Sequence, residues 1–106
     1  MKVEWDKFYY RPLPACLTIK EGAVEGLGLF ATEDIEEGYD FGASHIKVPP
    51  ILGYIRTPVG GFLNHSEKSN TVLMRIQDWD DYRIYNLIST CKINKGQEIL
   101  VDYDQQ

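Results

Sequence analysis

Cysteine is scarce in this chain of 106 residues: Cys16 and Cys91 are the two present, and neither stands in a C-x-x-C pair. A structural zinc site of the usual spacing is thereby excluded, and no metal is expected. A single disulfide stays open, but free buried thiols in a reducing cytosol are the expectation, which places the protein in the cytoplasm. Long apolar runs are missing as well. No stretch approaches the roughly 20 residues of a membrane span, and "MKVEWDKFYYRP" lacks the apolar centre of a signal peptide. No membrane association is expected. Positive charge is in deficit, with 11 Lys and Arg against 16 Asp and Glu and a net charge of −5. A nucleic-acid binder would carry a basic stripe, so direct nucleic-acid binding is not expected either. Negative charge of this size keeps a domain soluble, and it also steers a basic protein toward the surface.

Helical periodicity is the third absence. No long stretch repeats its apolar residues at i, i+3, i+4. Glycine and proline punctuate the chain often, as between short strands. "ACLTIK" reads as a strand with Leu17 and Ile19 on one face, and "LGLFAT" as another. "YDFGASHIKV" reads as a strand broken by Gly42, and "PPILGYIRTPVGG" as loop with one short strand near Tyr54–Arg56. "TVLMRIQ" and "YRIYNLIST" are rich in β-branched and aromatic residues and flank the acidic tetrad "DWDD", a hairpin pattern. "EDIEEG" and "NKGQ" read as turns, and "EILVDY" as the last strand. The length fits one domain, residues 1–106, with 1–15 as an N-terminal extension and 16–104 as the core. The fold class is mainly β. A Rossmann domain is excluded, because a strand is expected after the G-x-G at Gly26–Gly28 where a dinucleotide fold needs a helix.

"GGFLNHSEKSN", residues 60–70, concentrates the polar side chains that chemistry could use. His65 beside Ser66 is a poor nucleophile–base pair, since adjacent residues rarely hold the needed geometry and no G-x-S-x-G elbow is present. His45 and His65 lack further metal ligands at a recognisable spacing. Asn64–His65–Ser66 matches a glycosylation sequon, which matters only in a secreted chain. The carboxylates of "DWDD" and "EDIEE" suit solvated turns better than a glycosidase pair.

Taken in order, three blocks resemble one family. "GLGLFATEDIEEG" at 26–38 is similar to the glycine-rich opening strand and turn of SET domains, the lysine methyltransferase fold. "GFLNHSEKSN" at 61–70 is similar to that family's R-F-x-N-H-S-C-x-P-N block, and "INKGQEILVDY" at 93–103 to its closing I-x-x-G-E-E-L-x-x-D-Y segment. The resemblance spans about three quarters of the chain. It implies a β-clip-like fold of small curled sheets whose C-terminal segment threads a pseudoknot, with Phe62, Leu63, Ile99 and Val101 packing the knot. It implies methyl transfer from S-adenosylmethionine to a protein lysine amine. Gly26, Leu27 and Gly28 would bring backbone to the methionine end of the cofactor, where a Cβ would block approach. Asn64 would orient the methionine part, the backbone at His65 would meet the adenine while its imidazole ties down the knot, and Tyr103 would line the methyl-transfer pore as the catalytic residue.

The chemical obstacle is the amine. Lysine has a reference pKa near 10.4, so holding it neutral at pH 7 costs about 4–5 kcal/mol in water. An apolar channel and a nearby positive charge both lower that pKa. The departures from the family pattern are specific. Gly61 stands in place of Arg, and Glu67 and Ser69 in place of Cys and Pro. Leu73 and Met74 occupy the region where some members carry a second tyrosine. The flanking zinc-binding cysteines are absent, and with three residues after Tyr103 in this sequence, closure of the lysine channel is expected from a partner, a second copy of the chain or the substrate itself. That compactness is similar to viral, phage or bacterial members. The expected partner is a basic protein with an exposed lysine; the rival expectation is an inactive β module that kept the fold and binds cofactor or protein without reaction.

Overall fold

The computed structural model describes residues 12–22, 26–48 and 54–105. Most of the expected N-terminal extension and the start of the "PPILG" loop lie outside them. The architecture is mainly β, as expected, with strands β1 (Leu17–Glu21), β2 (Leu27–Ala31), β3 (Asp40–Lys47), β4 (Ile55–Arg56), β5 (Asn64–His65), β6 (Thr71–Trp79), β7 (Tyr82–Ser89) and β8 (Leu100–Val101). One helical turn, α1 (Pro58–Gly61), and a 3-10 turn at Tyr103–Gln105 complete it. β1 and β2 form an antiparallel ladder, Leu17 opposite Ala31. The other six strands form a sheet in the order β4-β3-β7-β6-β8-β5.

Three local readings of the sequence need correcting. The hairpin strands run further than the acidic tetrad suggested: β6 continues through Asp78 and Trp79, and only Asp80–Asp81 turn. Asp80 has φ 53°, the left-handed conformation that a tight two-residue connection requires. Gly42 does not break β3. Its φ of 92° makes an irregularity, and the pairing of β3 with β7 shifts register between Asp40 and Ala43 and again between Ala43 and His45. A regular strand buries alternate residues; this one buries the neighbours Ser44 and His45 together. Finally, "TPVGG" is helical rather than loop. Thr57 caps the turn, its side chain accepting from the Gly60 N–H, and Pro58 occupies the first turn where its missing N–H is not needed.

The C-terminal segment is threaded as the resemblance implied. Glu98 bridges Phe30, and the Ile99 N–H donates to the Leu29 carbonyl, which ties this segment to β2. β8 then enters between β5 and β6, parallel to both. Residues 66–70 cross over it. The Ser66 N–H donates to the Val101 carbonyl, and the Asn70 N–H to that of Leu100. The Asn70 side chain completes the crossing: its Nδ2 donates to the Glu98 carbonyl, and its Oδ1 accepts from the Leu100 N–H, both at 2.8 Å. Leu29, Leu87, Ile93, Ile99 and Val101 are fully buried beneath this knot, Leu63 is buried beside them, and Phe62 packs on their edge. Both cysteines are free, Cys16 buried as expected; Cys91 is exposed, because it sits on the turn after β7 rather than within a strand.

Candidate functional site

The expected site residues fall into two groups that meet across β5. Successive strand residues point to opposite faces, so Asn64 and His65 reach different neighbours. The Asn64 Nδ2 donates to the Leu27 carbonyl at 3.1 Å and to the Glu98 Oε2 at 2.8 Å. Gly28 lies flush against this pair. A Cβ there would fall inside contact distance of Glu98 Oε2 and 2.9 Å from Asn64 Nδ2. Gly26 has φ 73°, a turn conformation that favours glycine, and its carbonyl accepts from the Gly22 N–H. Glu98 joins this group although sequence reasoning passed over it; the signal was its place in the closing segment.

His65 turns to the other group. Its Nδ1 accepts from the Tyr103 backbone N–H at 3.1 Å, and its ring stacks on Tyr103 at 6.1 Å between centroids. Asp102 and Asp104 carboxylates lie 3.9 Å from its ring nitrogens, a proximity that spacing did not reveal. Asp102 Oδ1 also accepts the Asp104 N–H, which fastens the 3-10 turn behind Tyr103.

On its far side, Tyr103 enters a cavity of about 350 Å³ lined by His45, Tyr54, Arg56, Leu73, Tyr85 and Tyr103. Its walls are aromatic edges and faces. His45 meets Tyr54 and Tyr103 edge-on at 5.8 and 5.7 Å, and Tyr54 meets Tyr85 at 5.7 Å. The Arg56 guanidinium sits 6.0 Å from the Tyr103 ring centre. The Tyr103 hydroxyl is 3.3 Å from His45 Nε2. Burial pushes the Tyr103 phenol above its usual value, against the opposing pull of Arg56, so at neutral pH it is a protonated donor. Burial, and then Arg56, hold His45 below its usual value of 6.5, so its imidazole is neutral there.

Of these cavity residues only Tyr103 was singled out for that role from the sequence. His45 lacks further metal ligands at a recognisable spacing, and no sequence motif marks Tyr54, Arg56 or Tyr85. The family resemblance points to the region of Leu73 and Met74 for a second tyrosine. Leu73 does line the cavity and Met74 is exposed, while the additional tyrosines arrive from the segment before β4 and from β7. One signal existed for Tyr85: it shares parity along β7 with the buried Leu87 and Ser89.

Two features therefore sit side by side on the knot, a glycine-and-amide cradle and an aromatic cavity headed by a tyrosine. The fold with this site defines a class in which a threaded C-terminal segment brings a tyrosine to the head of a cavity. The sequence matches the SET domain family over residues 51–104, just over half of the chain, and the chain belongs to that family. The fold is similar to that of a Plasmodium falciparum protein assigned as a histone methyltransferase, with 18% identity, a TM-score of 0.68, and coverage of 85% of this chain and 94% of that one. It is similar also to the methyltransferase domain of human PR domain-containing protein 2, with 20% identity, a TM-score of 0.67, and coverage of 92% and 83%. No curated protein sequence matches the chain. The matched segment contains Asn64, His65 and Tyr103; the Gly26–Gly28 stretch and His45 precede it.

Proposed function

We propose that this protein is an S-adenosylmethionine-dependent protein-lysine methyltransferase. The observation that carries the proposal is the Tyr103 hydroxyl at the head of an aromatic-walled cavity, on a segment tied through His65 to the strand that bears Asn64. The residues present fit the cofactor. Gly28 leaves no side chain between backbone and the Asn64–Glu98 pair, and that pair offers an amide and a carboxylate suited to the polar methionine end. Gly26, Leu27, Gly28, Asn64, His65 and Glu98 would hold it. When bound, S-adenosylmethionine supplies an electrophilic methyl group on a sulfonium.

The chain's own residues address the amine. Tyr54, Tyr85, Leu73 and Tyr103 surround it with low-polarity surface, which disfavours the ammonium form. Arg56 acts with the same sign, because a fixed positive charge at the wall lowers the pKa of a neighbouring amine as it lowers that of His45. The Tyr103 oxygen accepts an amine N–H and so aims the nitrogen lone pair along the cavity. Orientation of this kind accounts for large rate effects, and a misplacement of about 1 Å can cost about 10²-fold.

The acidic net charge supports a basic protein as substrate, and a cytoplasmic setting goes with it. Incubating the whole chain with labelled S-adenosylmethionine and a panel of basic proteins tests the proposal, beside Tyr103→Phe. Transfer by the wild type, reduced about 10²-fold in the variant, is expected. No transfer to any substrate, or equal transfer by Tyr103→Phe, would overturn it in favour of an inactive β module.

A further inference from the structure

We infer that His45 is a positioning residue that sets the direction of the Tyr103 hydroxyl, through a one-way chain of hydrogen bonds from Tyr103 by way of His45 and Ser44 to the Tyr85 carbonyl. The inference rests on Tyr103 acting as proposed above. It starts at the buried end. The Tyr85 carbonyl can only accept, and Ser44 Oγ lies 3.3 Å from it with one proton to give. With that proton committed, Ser44 Oγ presents a lone pair to His45 Nδ1, 2.9 Å away. Nδ1 therefore carries the imidazole proton. A neutral imidazole has one N–H, so Nε2 is bare and accepts from the Tyr103 hydroxyl at 3.3 Å.

The direction matters for the chemistry. An amine attacks through its lone pair. A phenol free to rotate would donate its proton to that lone pair and block it. With the proton held by His45, the Tyr103 oxygen turns its own lone pairs to the cavity and accepts an amine N–H instead. Were His45 protonated, Nε2 would donate, and the phenol proton would swing toward the amine.

The surroundings hold His45 in this state. Register pairs it with Arg56 on β4 and Tyr85 on β7. Tyr54 faces it from the segment before β4, and Tyr103 from the C-terminal turn. α1 presents Gly60, close to its Cε1, and β3 itself contributes Ser44. Arg56 is the one charged group among these described neighbours, and its sign opposes an imidazolium. His45 is 2% exposed as a residue, so rotation of its ring away from the chain would leave buried polar atoms unpaired.

Two measurements on the whole chain test this. Nitrogen NMR of the imidazole at neutral pH is expected to show a proton on Nδ1 and a bare Nε2; a proton on Nε2 would overturn the inference. This readout needs no methyl transfer. The second is kinetic. His45→Phe, which has no acceptor, is expected to lower kcat about tenfold with KM for the cofactor unchanged. His45→Gln, whose amide oxygen can stand near the Nε2 position and does not titrate, is expected to recover most of that loss. In the wild type, log kcat should fall with a slope of about 1 from amine protonation and about 2 once His45 titrates, whereas His45→Gln keeps the single slope throughout. Equal loss in both variants, or the same slopes in wild type and His45→Gln, would overturn the inference. If the wild type transfers no methyl group at all, the proposed function fails, and the tautomer alone upholds or overturns the hydrogen-bond chain.

Discussion

Gly60 and Gly61 are adjacent in α1, yet the fold makes opposite demands on them. A Cβ at Gly60 would lie well inside contact distance of the Ser44 carbonyl oxygen, 2.9 Å from its carbonyl carbon and 3.1 Å from His45 Cε1. Backbone of a central strand cannot move aside as a side-chain end can. Overpacking of this kind costs about 1–3 kcal/mol, and the backbone obstacle places Gly60→Ala at the upper end. Restricting the unfolded chain returns roughly 0.4–1 kcal/mol. The net expectation is a loss of about 2 kcal/mol, or a fall in Tm on the order of 10 °C for a domain this size. Gly61 is exposed, and a Cβ there meets nothing within 4 Å. Gly61→Ala should therefore be neutral or stabilising by up to about 1 kcal/mol. Urea unfolding of both variants, followed by circular dichroism, compares them in one host. The reasoning fails if Gly60→Ala matches the wild type, or if Gly61→Ala is the more damaging of the two.

Three further outcomes are expected. Gly28→Ala presses on the ends of Glu98 and Asn64, which can yield, so unfolding should change little while calorimetry with S-adenosylhomocysteine shows affinity weakened about tenfold, the loss of roughly one charge-assisted hydrogen bond. Asn70→Ala removes both side-chain bonds across the threaded segment and should cost about 2–3 kcal/mol in denaturant unfolding; a change under about 0.5 kcal/mol would mean the backbone bonds of the crossing suffice alone. The third outcome concerns pH. Because the folded state holds His45 below its ordinary 6.5, its contribution is complete above that value and is lost as pH falls from it toward the folded-state value. Wild-type stability should thus decline below about pH 6.5 more steeply than that of His45→Gln, and parallel curves in urea titrations would refute this.

The strands were legible where their signal was local. β6 and β7 announce themselves in alternating β-branched and aromatic residues, and the family blocks announce the threaded C-terminus. The length of the hairpin turn was misjudged because acidic residues look solvated; Asp78 instead stays in the strand and pairs with Arg75, three residues earlier. The Thr57–Pro58 pair was a usable helix-start signal that two following glycines obscured. The cavity was not legible, for a different reason. Its walls come from β3, the segment before β4, β4, β6, β7 and the C-terminal turn, so its composition depends on pairing register. The irregularities at Gly42 and Ala43 set that register and bury His45 beside Ser44. Glu67-Lys68-Ser69 illustrates the reverse case. Its length serves the crossing over β8, but Glu67 and Lys68 are exposed and only the Lys68 N–H, donated to Ser66 Oγ, is engaged. Packing there constrains the number of residues and not their identity.

The knot explains why a cradle and a cavity can share one short strand. Asn64 stands opposite Leu100 and His65 opposite Val101, so Tyr103 follows two residues beyond the last paired position. Side chains alternate along a strand, and a slip of one residue exchanges the two faces. A slipped β8 would withdraw Glu98 from Asn64 and move the Tyr103 N–H from His65. Two residues of parallel pairing cannot fix a register by themselves. The Asn70 side chain does so, since it grips the Leu100 N–H and the Glu98 carbonyl at once and fits only one alignment. The geometry of the site is then a property of the crossing loop, whose Asn70 holds the Glu98 and Leu100 backbone while none of residues 66–70 lines the cavity.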